Sequence, residues 1–137
     1  MIEIKKLNME EAMACADSLD LTKVDREAMH YAIFLSSVIW GGYIDGRLAC
    51  IWGLIPPTIL SQQAYLWLDT TDVVNGHEFV LVRHSQLVVE EMLKEYPSIV
   101  GHAIVDNHKA IRWLKWLGAK FGEPQGQGLP FRISAHG

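Results

Sequence analysis

The stretch from residue 64 to 105 constrains the fold most, because its hydrophobic period changes twice. Residues 64–69, AYLWLD, have the aromatic and aliphatic content of a strand. From 78 to 96 the period becomes helical. Leu81, Val82, Ser85, Val88, Val89, Met92, Leu93 and Tyr96 make one stripe, with Arg83, Glu90, Glu91 and Lys94 opposite. Glu90 and Lys94 have the spacing of a supporting ion pair. Pro97 ends the helix, and residues 99–105, IVGHAIV, read as an interior strand with apolar residues on both faces. Two strands separated by a crossover of this length pair in parallel, and the crossover is right-handed in nearly all cases. An α/β domain follows.

The remaining segments extend this unit into a mixed sheet. Residues 2–7 alternate as a half-buried strand does. Asn8 and Glu11 have the spacing of a capping box, opening a helix with Met9, Ala12, Met13, Ala16 and Leu19 on one face. Asp25 can cap a second helix running to about Leu35. SVIWGGYI, Asp45-Gly46 and RLACIWGLI read as a β-hairpin, since Asp-Gly tolerates positive φ at both turn positions. Pro56-Pro57 ends its second strand, because proline lacks the ladder N–H. Residues 129–134 supply a last strand, so the order is β, α, α, β-hairpin, β, α, β, α, β.

The 137 residues are the material of one domain, 1–137, able to bury a core unaided. A net charge of -4 opposes a general affinity for nucleic acid, which needs a positive surface field. Cys15 and Cys50 form no disulfide framework and fit a reducing compartment. No apolar run approaches the ~18 residues of a membrane span, so no membrane span is expected. His77 and His84 lack acidic or cysteine partners at ligand spacing, which gives a metal site no basis. Neither does the adjacent His84-Ser85 pair make a hydrolase triad.

The segment VDNHKAIRWLKWLGAKFGEP carries the most local information. Asn107 is a good N-cap, and Gly118 suits the left-handed position that closes a helix. Ala110, Ile111, Trp113, Leu114 and Leu117 share one face; Lys109, Arg112 and Trp116 share the other. The charges on that second face could simply be solvated. Tryptophan beside arginine is also the composition of an interface anchor, and a partner contact is expected there.

This order of elements resembles the GCN5-related N-acetyltransferase (GNAT) fold, a three-layer α/β/α arrangement with a mixed central sheet. In that family a late helix commonly opens with Asn-x-x-Ala and ends in Gly-Phe; Asn107, Ala110 and Gly118 match at the right spacing. Within the fold, the likeness is to small acetyltransferase-like proteins of tailed phages, including the internal virion protein A family of short-tailed phages. It is carried by Trp67-Leu68-Asp69-Thr70, Phe79, Arg83-His84-Ser85, Tyr96-Pro97, Asn107, the run from Ile111 to Gly118, and Pro130-Phe131. It covers residues 64–132. The resemblance implies acetyl-CoA as the cofactor, with Thr70, Thr71, Val73, Asn75, Gly76 and Asn107 at the cofactor-binding positions. It implies a virion or host protein as partner, and the host cytoplasm or the virion as the place of action.

Two departures from the family pattern bear on catalysis. GNAT enzymes follow the fourth strand with Arg/Gln-x-x-Gly-x-Gly/Ala, whose glycines let successive N–H groups close on a pyrophosphate. Here the segment is TTDVVNGHEF, with one glycine, Gly76, and the acidic Asp72 and Glu78. Many members also place a tyrosine seven residues after the Asn as general acid; that position is Leu114, which has no proton to donate. Asp69, at the end of its strand, and His102, mid-strand, are the candidate general bases. The alternatives are a turn role for Asp69, a hydrogen-bonded core role for His102 and a purely capping role for Asn107. The expectation is an acetyltransferase-like virion assembly or internal virion component with a degenerate cofactor site. The alternative is an active N-acetyltransferase acting on a small-molecule or protein amine.

Overall fold

A computed structural model describes residues 1–18, 26–58 and 63–135. Asp45 and Gly46 take φ of 50° and 81°, so both turn positions adopt the left-handed conformation that joins two twisted strands tightly. They link β2 (Val38–Ile44) to β3 (Arg47–Ile55), whose end at Ile55 precedes the two prolines. β1 (Ile2–Leu7) runs antiparallel to β2, from Ile2 opposite Ile44 to Leu7 opposite Ile39. The helices α1 (Met9–Ser18) and α2 (Arg26–Leu35) lie between β1 and β2 in sequence.

The chain divides into two compact units. The first comprises Met1–Pro56 and Leu66–Asn75, the second Pro57–Tyr65 and Gly76–Gly137. In the first unit the core gathers Leu7, Ala12, Ala16, Met29, Ile33, Ile39 and Ile51, with Trp67 packed against it. Burying each large aliphatic side chain contributes roughly 1.5–3 kcal/mol. The capping box of α1 is reciprocal: the Asn8 N–H donates to Glu11 Oε1 at 3.0 Å and the Glu11 N–H to Asn8 Oδ1 at 2.7 Å. Ala12 and Ala16 are buried, whereas Met9, placed on the same face by its spacing, is exposed. It sits in the first turn, before the helix reaches its packing partners. Leu19 and Asp25 lie outside the described residues.

β4 (Ala64–Thr70) carries Trp67, whose Nε1 donates to Ser36 Oγ at 2.7 Å. Gly53 of β3 makes room for this indole: a Cβ there would stand 2.7 Å from the ring.

In the second unit the first residues of β4 pair in parallel with β5 (Ser98–Ile104), Ala64 opposite Ile99 and Tyr65 opposite Val100. The expected parallel strands joined by a helix are therefore present. α3 (Glu78–Glu95) buries Leu81, Val82, Ser85, Val89 and Met92 and exposes Arg83, Glu90, Glu91 and Lys94. The ion pair of Lys94 is with Glu91 at 3.0 Å and not with Glu90, since residues three apart also share a helix surface. β5 buries only one face, Ile99, Gly101 and Ala103, while His102 and Ile104 are exposed. The strand stops at Ile104 because the Val105 N–H turns to the Gln127 carbonyl at 2.9 Å.

α4 (His108–Trp116) follows, then β6 (Lys120–Phe121) and β7 (Gly128–Ser134). β6, two residues long, is too short to have a period and is absent from the sequence-based order. The strand order is β1-β2-β3-β4-β5-β7-β6, a mixed sheet of seven strands. Among the described residues no helix is long and apolar enough to cross a membrane.

Candidate functional site

Asp69 is half-buried near the end of β4, and burial pushes its carboxyl from 3.8 up to about 6. A carboxylate so placed is a stronger base than one in water. Thr70 ends the strand, and Thr71 turns the chain. The Thr71 N–H donates to the Ala49 carbonyl at 2.9 Å, and its hydroxyl donates to the Leu48 carbonyl at 2.6 Å.

A single 3₁₀ turn (Asp72–Val74) comes next, capped by the same hydroxyl, which accepts from the Val73 N–H at 3.3 Å. The Val74 N–H bonds the Thr71 carbonyl and the Asn75 N–H bonds the Asp72 carbonyl, each at 3.1 Å. Three successive donors, Val73, Val74 and Asn75, are thus used inside the loop. A pyrophosphate cradle needs such donors pointing outward. The turn does not fit that group.

Gly76 takes φ of 84° and leads to His77, the N-cap of α3, whose side chain makes no capping bond. The first N–H groups of α3 retain the partial positive charge of a helix start, but Glu78 places a carboxylate in that first turn.

His102 is exposed, which overturns the core reading of this histidine. Its Nδ1 lies 3.2 Å from the Tyr65 hydroxyl, with ring centroids 5.9 Å apart. Burial raises the Tyr65 phenol above its ordinary value. Tyr65 is not among the residues singled out by sequence. It faces Val100 across the ladder, so His102 is its same-face diagonal neighbour, a relation that exists only once the register is known.

Asn107 caps α4: its Oδ1 accepts from the Ala110 N–H at 3.1 Å. At the other end the Gly118 N–H bonds the Lys115 carbonyl at 3.0 Å and the Ala119 N–H bonds the Leu114 carbonyl at 2.9 Å. With Gly118 at φ of 94°, this is a Schellman closure. Leu114, at the position of the family's general acid, is buried in the core beside Trp113. Trp113 Nε1 is the one buried side-chain polar atom without a hydrogen-bond partner among the described residues.

On the opposite face of α4, Lys109, Arg112 and Trp116 are exposed. The Trp116 ring meets Phe79 of α3 edge-on, centroids 5.7 Å apart at 88°. Phe79 completes this face and was not assigned to it from sequence, since its neighbour lies on another helix. Asp69, Thr70, Thr71, Val73 and Asn75 belong to the first unit; Gly76, His102, Asn107, Lys109, Arg112 and Trp116 belong to the second. Among the described residues no cluster of three or more His, Cys, Asp or Glu is arranged to hold a metal.

No family model matches the sequence, and no curated protein matches it at a significant level. Solved structures are similar to it. An acetyltransferase of the GNAT family from Streptococcus pneumoniae superposes with a TM-score of 0.69 at 10% identity, over 98% of this chain and 99% of that one. The ribosomal-protein-S5-alanine acetyltransferase from Vibrio fischeri gives 0.68 at 12% identity, over 97% and 92%. The PaiA N-acetyltransferase from Thermoplasma acidophilum, in complex with coenzyme A, gives 0.64 at 15% identity, over 98% and 99%. The chain has the GNAT fold, the expected three-layer α/β/α class with a mixed central sheet.

Proposed function

We propose that this chain is an acetyltransferase-like protein of phage or prophage origin, serving as a virion assembly factor or internal virion component with a degenerate cofactor site. The observation that carries this reading is the closed turn after β4. The N–H groups of Val73, Val74 and Asn75, which the fold would otherwise turn towards a pyrophosphate, bond within the loop. The burial of Leu114 supports it, because no general acid stands at that position. The phage assignment rests on the likeness of residues 64–132 to acetyltransferase-like phage proteins. The partner would be a virion or host protein, and the place of action the host cytoplasm or the virion.

Calorimetric titration with acetyl-CoA tests the first half of this reading. The expected outcome is no heat and no thermal shift at millimolar ligand. Saturable binding with micromolar affinity would show that the loop opens, and the reading would fall.

A second reading, an active N-acetyltransferase, is favoured by Asp69. A carboxyl raised to about 6 is poised to take a proton from an attacking amine near neutral pH. Acetyl-CoA would supply the activated acyl group. Turnover of amine substrates well above background, lost in Asp69→Asn, would establish this reading in place of the first.

A further inference from the structure

The Phe79–Trp116 contact leaves two aromatic rings exposed together, 59% and 41% accessible, on adjoining helices of one unit. A core pair would be covered; this one is open. Arg83 stands one turn after Phe79 on α3, and Arg112 one turn before Trp116 on α4, so each arginine shares a face with a ring. Both guanidinium groups are exposed, and neither has an ion pair or hydrogen bond among the described residues. Leu87, a further turn along α3 and 69% exposed, extends the apolar strip.

We infer that this two-helix face docks an acidic segment of a partner protein, one apolar side chain seated against the Phe79–Trp116 pair and carboxylates paired to Arg83 and Arg112. Charge complementarity selects this occupant. Arginine offers a planar fork that pairs two-pronged with a carboxylate, and aromatic rings beside arginine are the usual anchors of an interface. Arg83, Arg112 and Lys109 on a chain of net charge -4 are too few cations for nucleic acid. Glu90, Glu91 and Glu95 at the far end of α3 oppose an anionic membrane surface. They also bound the site, so that a partner's carboxylates are accepted near Arg83 and repelled beyond it.

The inference deepens the proposed binding role and rests on it in that the chain acts by docking. Its test is separate from the acetyl-CoA titration. The isotope-labelled full chain would be titrated with a synthetic peptide in which Asp and Glu flank one leucine, and with its Asn/Gln counterpart. The Trp116 indole N–H and the Arg83 and Arg112 Nε–H signals are followed.

The acidic peptide should shift all three and bind about tenfold more tightly than the amide peptide, less so as salt rises. The Arg83→Gln, Arg112→Gln double variant should lose about that factor, and Trp116→Ala should abolish binding. Trp116→Phe, which keeps a ring against Phe79, should retain binding within a few fold and guards against a folding defect. Equal binding of the two peptides, or binding of neither, would overturn the inference. So would displacement of the peptide by adenosine 3′,5′-bisphosphate or oligouridylate at the same signals. Acetyl-CoA binding at the closed turn with the peptide still bound would instead sink the degenerate-site reading alone.

Discussion

Asp69 is a residue whose placement opposes stability. Its folded value of about 6 exceeds the ordinary 3.8, so between those values the native state holds a proton that the unfolded state has released. The stabilisation this proton gives is full below about pH 4, declines as pH rises through 6 and is absent above. A shift of this size corresponds to about 3 kcal/mol as an upper bound, partial exposure reducing it. Asp69→Asn should therefore be more stable than the parent at pH 8, by roughly 1–3 kcal/mol, and show a flatter profile from pH 4 to 8. Urea denaturation at several pH values measures this. Identical pH slopes in the two proteins would mean that Asp69 titrates as an ordinary surface carboxyl. Asp69 was legible in the sequence as a candidate because it sits at the end of an apolar run. Its half-burial was not, since that depends on what covers the strand.

At the scale of elements, α4 was the most readable part of the chain because everything that defines it is local. The Asn107 cap, the Schellman closure at Gly118 and the division of faces all lie within a dozen or so residues. Asn107→Ala should cost roughly 1 kcal/mol through the lost cap, and Gly118→Ala a similar amount through strain at φ of 94°. Amide exchange should accelerate in the first turn of α4 in the former and in its last turn in the latter. Uniform acceleration along the helix in both would contradict these local roles. The features that escaped sequence reading join distant elements. Tyr65 meets His102 through a strand register, and Phe79 meets Trp116 through the packing of two helices. β6 escaped for a simpler reason, its two residues carrying no period.

For the molecule as a whole, the two cysteines offer a probe of global opening. Cys50 is fully buried, and burial pushes its thiol up to about 12; Cys15 is only partly covered. A thiol reagent at pH 8 should modify Cys15 readily in the native chain and leave Cys50 untouched, because the thiolate is the reactive form. Cys50 should react at the rate of unfolding, and denaturant should bring it level with Cys15. Equal native reactivity would show that the β3 strand opens locally. The chain order of six of the seven strands was legible because the hairpin turn, the prolines and the helical crossover each punctuate the chain. Their order across the sheet was not, beyond the hairpin and the parallel β4–β5 pair. The closed form of the loop after β4 was less so. Its sequence announced the missing glycines, but not that a threonine hydroxyl would bind the turn to β3.

That threonine makes the loop a fastening. Thr71 ties its hydroxyl to Leu48 and its backbone to Ala49 while capping the turn that follows. Replacing the segment with a glycine-rich sequence would free donors for a phosphate, yet would also release the end of β4 from its neighbour. A phosphate site therefore could not be opened here without first loosening the sheet. The turn works as a latch, holding the end of β4 against β3.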